Sequence, residues 1–251
     1  LLDWMMSHSD LMSKLASPMA ALSNFGMANP LTKMILKQVG ITDKMSLPKY
    51  ASKTFLQQFR AFKQQSFPDK VVFFSGCFIN YYAPEVGMDL VAVMQRNKRE
   101  VIVPEGLDCC GSPLVGKGYL DEAVEKAHTN IAALKPWFDQ GIPVLTCCTS
   151  CGLMLKMEIQ EMMDLEHMEQ LAAHTYDASE YLLELHGQGQ LDTEFAPVAG
   201  RYIYHTPCHL RAQGIGKPSL ELLSMIPGFQ IEDADAGCCG QSGTYGFEVA
   251  K

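Results

Sequence analysis

Three short apolar runs in this 251-residue chain each lead into cysteine. Val71-Val72-Phe73-Phe74 stops at Ser75-Gly76-Cys77. Val101-Ile102-Val103 leads to Cys109-Cys110-Gly111. Pro143-Val144-Leu145-Thr146 stops at Cys147 and Cys148, with Cys151 just behind. Each run has the length and composition of a strand. Helical patterns lie between them. Pro84 to Met94 places Val86, Leu90, Val91 and Met94 on one side, and Leu120, Val124, Ala127, Ile131, Leu134 and Phe138 form a stripe closed by Gly141. A further helix is expected from Gly152. Alternating strands and helices predict a parallel α/β sheet. Each cysteine group then falls at the C-terminal end of a strand, where open α/β sheets place their ligand sites.

The pattern restarts later in the chain. Tyr202-Ile203-Tyr204-His205-Thr206-Pro207-Cys208 matches Val71 to Cys77 in shape. Ser219 to Ile226 reads as a helix, and Phe229-Gln230-Ile231 as the strand before Cys238-Cys239-Gly240. Thirty-one residues separate Cys77 from Cys109, and twenty-nine separate Cys208 from Cys238. This is an internal repeat of long period. The expected fold is α/β, with duplicated parallel-sheet (strand–helix–strand) modules and an N-terminal helical segment. The expected divisions are a helical connector or docking segment over 1–68, a first module over 69–165, a helical connector over 166–200 with a helix around Ala178 to Leu185, and a truncated second module over 201–251. In the first segment Leu11, Leu15, Met19 and Leu22 have helical spacing, and Leu31, Met34, Ile35 and Val39 repeat it before Gly40, a C-capping glycine. Two readings of that segment stand side by side: helices that pack between domains, or a surface that docks on a membrane or another polypeptide of a complex.

Nine cysteines is an odd number, and the start Leu1-Leu2-Asp3-Trp4 has no basic leader region. Such a set favours metal or redox use in a reducing compartment. Adjacent cysteines have Cα atoms about 3.8 Å apart, short of the ~4.4 Å lower limit of a disulfide. Soft thiolates suit iron–sulfide clusters. A cubane cluster needs four cysteines, and Cys77, Cys109, Cys110, Cys148 and Cys151 supply five. An adjacent pair chelates one tetrahedral ion poorly but readily reaches two corners of a cluster, and the glycine after it lets the backbone approach closely. Zinc is the alternative. Its sites usually show two Cys-x-x-Cys or Cys/His knuckles, and this chain has one. Cys147 reads as a buried end-of-strand cysteine, although it competes with Cys148 for one ligand place.

Other features narrow the function. A net charge of −8 argues against a nucleic-acid surface, and Arg96-Asn97-Lys98-Arg99 reads as the solvated end of a helix. Leu15 to Thr32 is uncharged, but Pro18, Gly26 and Pro30 interrupt it, so no membrane-spanning helix is expected. His128 falls on the solvent side of its helix. His205 and His209, around Cys208, are either hydrogen-bond donors to cluster sulfur or turn histidines satisfied by backbone. The glycines Gly214, Gly216, Gly240, Gly243 and Gly246 lack the strand–turn–helix context of a dinucleotide site. Asp233 and Asp235 read as loop carboxylates. No Ser–His–Asp set or acid–base pair stands out, which argues against a self-contained hydrolase.

The spacing Cys-x31-Cys-Cys-Gly…Cys-x-x-Cys resembles the Cys-Cys-Gly domain of heterodisulfide reductase and its relatives. Those relatives include iron–sulfur subunits of lactate and glycolate oxidation and of anaerobic glycerol-3-phosphate dehydrogenase. His205-Thr206-Pro207-Cys208-His209, Ile226-Pro227-Gly228 and Cys238-Cys239-Gly240-x-Ser-Gly-Thr-Tyr-Gly-Phe247 look nearest to the glycerol-3-phosphate branch. So do Leu47-Pro48-Lys49-Tyr50 and Ser7-His8-Ser9-Asp10-Leu11-Met12. The resemblance implies a 4Fe-4S cluster, in non-cubane form where the five-cysteine set is whole. Cys77, Cys109, Cys110, Cys148 and Cys151 would ligate the first cluster, and Cys208, Cys238 and Cys239 would supply three ligands of a second. It also implies that the chain is a fragment. The ferredoxin-like part would precede Leu1, and the second Cys-x-x-Cys would follow Lys251. One departure is the gap of 37 residues from Cys110 to Cys148, longer than the family's usual spacing; Cys147 would give 36. The function implied is electron transfer from a flavoprotein that oxidises sn-glycerol 3-phosphate to a membrane quinone, in anaerobic respiration. The location implied is the cytoplasmic face of the inner membrane, held peripherally. The residues alone leave open a catalytic module of heterodisulfide-reductase type, or an iron–sulfur subunit of lactate or glycolate oxidation.

Overall fold

The computed structural model describes residues 2–162 and 166–249, so the expected boundary at 165 and the chain-end residues 250 and 251 lie outside the described part. The chain opens with helices α1 (Leu2–Ser7), α2 (Ser9–Ala16), α3 (Ala20–Ala28), α4 (Pro30–Gln38) and α5 (Phe55–Ala61). Local chemistry sets two of their starts. Asn29 accepts the Leu31 amide and Pro30 follows at the first helical position of α4, while Thr54 and Gln57 form a reciprocal capping box on α5. Gly40 follows the end of α4 at φ 99°, as the sequence predicts.

A sheet module comes next: β1 (Lys70–Phe73), α6 (Gly76–Tyr81), α7 (Pro84–Arg96), β2 (Glu100–Ile102), α8 (Ser112–Val115), α9 (Leu120–Phe138), β3 (Val144–Thr146) and α10 (Thr149–Leu153). After α10 the helix widens into a π turn, Met154–Glu158, then resumes as α11 (Ile159–Met162). α12 (Met168–His174), β4 (Thr175–Asp177) and α13 (Ala178–Gly187) follow. The four strands are all parallel, in the order β2-β1-β3-β4. A smaller parallel pair repeats the theme: β5 (Gly200–Tyr204), α14 (Cys208–Ala212), α15 (Pro218–Ser224) and β6 (Phe229–Asp233).

Both faces of the four-stranded sheet are covered, and side chains alternate between them with the two-residue period of a strand. Val72, Phe74 and Val144 face a core built with Ala127, Ile131 and Leu134 of α9. Val71, Phe73 and Leu145 face a second core built with Phe55 of α5, Leu90, Val91 and Met94 of α7, and Tyr181 of α13. At about 25 cal/mol per Å² of apolar surface removed from water, these two cores carry the module.

The structure differs from expectation in three places. β4 is a strand of Thr175-Tyr176-Asp177, too short and polar for an apolar run to reveal; its pairing to β3 defines it. The basic stretch at the end of α7 is only partly solvated. Arg96 is exposed, but Arg99 is 7% exposed. The Arg99 guanidinium donates to the Asn97 carbonyl at 3.1 Å and the Tyr181 hydroxyl at 3.3 Å, contacts Gln190, and pairs with Asp69 at 3.2 Å. Finally, Leu15, Leu22, Phe25 and Leu31 on the N-terminal helices are 61–71% exposed, so their apolar spacing does not reflect burial within this chain.

Replacing Arg99 with alanine leaves Tyr181 and Gln190 without this partner. Hydrogen bonds to a charged group contribute roughly 1.5–3 kcal/mol each. We expect Arg99→Ala to destabilise the protein by about 2–3 kcal/mol in urea unfolding, whereas Arg96→Ala changes it by less than about 0.5 kcal/mol.

Candidate metal centre

The first cysteine set gathers above the C-terminal ends of β1 and β3. Cys77 sits in the first turn of α6, Cys109 and Cys110 in the loop before α8, Cys148 at the start of α10 and Cys151 within it. Cys109, Cys110 and Cys151 are 3–5% exposed and belong to the core beside α9, with Cys77 and Cys148 packed against it. Cys77 Sγ lies 3.6 Å from Cys109 Sγ. Thiol-to-thiol contacts then run Cys77–Cys109–Cys110–Cys151–Cys148.

The electrostatics alternate along that line. Hydrogen bonding with Cys110 and Cys77 holds the Cys109 thiol well below its ordinary pKa. A hydrogen bond from Cys151, helped by nearby backbone N–H groups of Cys151 and Ser150, brings Cys148 down to about 6. Cys77, Cys110 and Cys151 are pushed up by hydrogen bonding to neighbouring thiols and by desolvation. The thiolate is the form that binds metal.

Strand alternation separates the two candidates for one ligand place. Counting on from Val144 and Leu145, Cys147 turns to the core beside α7, and Cys148 turns to the other cysteines. Burial, with Asp177 nearby, pushes the Cys147 thiol up to about 12. Cys147 is thus half-buried against the second core and turned away from the other five.

Glycine enters twice, for different reasons. Gly111 has φ 91°, and a Cβ there would meet Ala123 and Met154 only at an ordinary 3.6 Å. Its backbone conformation, rather than the close approach expected after a cysteine pair, is what calls for glycine. Gly76 has φ 63° and is crowded as well: a Cβ there would lie 2.8 Å from Cys151 Sγ. Sequence reasoning does not single out Gly76, although its place just before Cys77 is the available signal. Asn130 escapes it too. It is fully buried on α9, accepts the Asp108 amide at 2.8 Å and donates to the Cys109 carbonyl at 3.0 Å, clamping the loop that carries the cysteine pair. Its only signal is a polar residue beside an apolar stripe.

The second set is arranged differently. Cys208, Cys238 and Cys239 are exposed, and among the described residues no sulfur contact joins Cys208 to the other two. The two sets meet across a polar seam. Ser150 Oγ lies 2.7 Å from His209 Nδ1, and Gln213 Nε2 donates to the Thr149 carbonyl at 3.1 Å. His209 therefore bonds a side chain of the first module. The buried His205 Nε2 has no partner among the described residues, so neither histidine is a turn residue satisfied by backbone through these atoms. Thr146 Oγ1, Thr206 Oγ1 and Gln213 Oε1 are likewise buried and unpartnered. His128 is exposed, as expected. A cavity of about 470 Å³ opens on the opposite flank, with Cys77 and Cys109 in its wall beside Lys14, Phe59, Arg60 and Asp108.

Donor chemistry decides which group the first set fits. Five sulfurs in mutual contact are soft ligands in a number no single tetrahedral ion uses. The set fits an iron–sulfur group better than zinc. If Gly76 is needed for clearance, Gly76→Ala should displace Cys151 and reduce the iron and sulfide bound per chain by more than half. Cys147→Ala should leave both unchanged and Cys148→Ala should reduce them, as read by metal and sulfide analysis of protein made without oxygen.

Comparison with known proteins agrees with this geometry. The model of the cysteine-rich domain matches residues 71–156 and 202–250, more than half of the chain. A subunit of the anaerobic glycerol-3-phosphate dehydrogenase of Escherichia coli K12 is 33% identical over 98% of this chain and 63% of its own length. A subunit of the fumarate reductase (CoM/CoB) of Methanothermobacter marburgensis is 33% identical over 69% of this chain and 33% of its own length. An uncharacterized iron-sulfur protein of Methanocaldococcus jannaschii is 33% identical over 69% of this chain and 32% of its own length. The chain thus spans less than two thirds of the length of these relatives. With its two matched segments and its cysteines at the strand ends, the chain belongs to the cysteine-rich, or Cys-Cys-Gly, domain family.

Proposed function

We propose that this chain is an iron–sulfur electron-transfer subunit of an oxidoreductase. In this reading, electrons from flavoprotein subunits that oxidise sn-glycerol 3-phosphate reach membrane quinone through it. The observation that carries the reading is the line of contacts Cys77–Cys109–Cys110–Cys151–Cys148, with Cys109, Cys110 and Cys151 buried and Cys77 and Cys148 half-buried against them. A 4Fe-4S cluster, when bound, takes up and gives out electrons one at a time. The chain's own residues hold it, exclude water and fix the local charge. With five cysteines the first site suits a non-cubane form. Cys208, Cys238 and Cys239 are ligands of a second site.

The exposed apolar side chains of α2 to α4 support peripheral attachment to a membrane, which in this reading is the inner membrane at its cytoplasmic face. From Leu11 to Thr42 the chain carries Lys14, Lys33 and Lys37 and no Asp or Glu, although the whole chain has a net charge of −8. Each large apolar side chain buried there contributes roughly 1.5–3 kcal/mol, and each lysine about 1 kcal/mol against an anionic surface. Among the described residues no helix is long and apolar enough to cross a membrane.

The 470 Å³ cavity at Cys77 and Cys109 favours a second reading, direct reduction of a small thiol or disulfide substrate. Protein purified and reconstituted without oxygen separates the two. We expect broad visible absorption and a reducible paramagnetic signal, with no turnover of thiol or disulfide substrates. A colourless protein with stoichiometric zinc would sink the iron–sulfur reading. Replacing Leu15, Leu22 and Phe25 with glutamine should release the protein from anionic vesicles in a sedimentation assay while its iron content is retained.

A further inference from the structure

The N-terminal motif Ser7-His8-Ser9-Asp10 is unexplained by ligation, yet both of its ionisable residues reach α9. His8 Nε2 lies 2.6 Å from Glu122, and Asp10 lies 2.8 Å from Lys126 Nζ. Glu122 and Lys126 are one helical turn apart, so two specific side-chain pairs tie this motif to α9. Lys126 continues inward. Its ammonium also pairs with Asp108 at 3.0 Å, and Asp108 accepts the amide of Cys109 at 2.7 Å. The chain of contacts thus runs from a buried carboxylate of the N-terminal segment, through one cation, to the backbone of a cysteine in the first set.

The charges in this cluster are few. The Asp10 side chain is 5% exposed, Lys126 17% and Asp108 25%. Lys14 is the other cation, 3.2 Å from Asp108 and 3.9 Å from Asp10, but its side chain is 49% exposed. Water screens an exposed charge far more than a buried one. Lys126 is therefore the effective positive charge beside Cys109. The Cys109 loop carries Asp108, so any change at Lys126 acts on the loop's charge and on its placement together.

We propose that Lys126, held between Asp10 and Asp108, is a positioning residue that sets the reduction potential of the group bound by the first cysteine set. The inference rests on the iron–sulfur reading. Reduction adds negative charge beside Cys109, and a fixed cation there stabilises the reduced form, whereas an unbalanced carboxylate destabilises it. Removing the lysine leaves Asp10 and Asp108 facing each other with only Lys14 to balance them. Neutralising Asp10 keeps the lysine and removes an opposing charge.

The test is a paramagnetic-resonance redox titration of the whole protein, loaded without oxygen, in four forms: parent, Lys126→Met, Lys126→Arg and Asp10→Asn. Lys126→Met should shift the midpoint potential of the first-site signal negative, Lys126→Arg should restore it, and Asp10→Asn should shift it positive. Opposite signs are the discriminating result, because a purely structural role would move both variants the same way or simply lower iron content. Coinciding potentials, or two shifts of one sign, overturn the proposal while leaving the iron–sulfur reading in place. A parent protein that holds no iron overturns that reading instead, and this one with it. Should Lys126→Met bind no cluster, Asp10→Asn decides alone: a positive shift supports the proposal and no shift removes it.

Discussion

Parallel strands that end on one level, with side chains alternating between two covered faces, are the constraint behind everything else in this molecule. A doubly covered sheet leaves its carboxyl edge as the place where loops emerge without breaking the cores. Three such loops carry cysteine, and the alternation sends Cys148 to one face and Cys147 to the other. The same core that holds Val72, Phe74 and Ala127 also contains Cys109, Cys110 and Cys151. The cysteine set and the hydrophobic core are contiguous here. Burial of those thiols leaves them mainly one another as partners, and a group that bound them would be coupled to the stability of the fold.

The strands β1 and β3, helix α9 and the restart at Tyr202 are legible in the sequence because each shows a clean period: short apolar runs for the strands, a stripe at 3.6-residue spacing for α9. β4 is not legible, since three polar or amphipathic residues become a strand only by lying against β3. Arg99 escapes because charge runs are read as solvated, whereas Tyr181 and Gln190, some eighty to ninety residues away in sequence, close over it. At the site, the cysteines announce themselves through spacing. Gly76 and Asn130 do not, since the need for them arises from a sulfur and a loop that only the folded chain brings near. Counting gaps cannot separate Cys147 from Cys148, but the alternation of a strand separates them directly.

The N-terminal helices make sense only with both modules in view. His8 and Asp10 tie the segment to α9, and residues 40–42 pair with residues 247–249. The segment is therefore anchored through its polar groups, while Leu15, Leu22, Phe25 and Leu31 face away. In α2 the buried Asp10 points into the molecule while Leu15 is left outside, the reverse of the usual arrangement of a surface helix.

The first cysteine set has two flanks of different character. Cys77 and Cys109 border the cavity beneath α2, where Lys14, Arg60 and Asp108 supply charge and Phe59 an apolar wall. Cys148 and Cys151 border the seam to the second module, where Ser150 meets His209 and Gln213 reaches Thr149. A redox group held between them would face the cavity on one side and the seam to the second module on the other. Electron transfer favours a site that keeps its geometry in both oxidation states, because little energy is then lost to rearrangement. Asn130, Gly76 and the ion pairs of Lys126 surround this set, each fixing backbone or charge beside a cysteine.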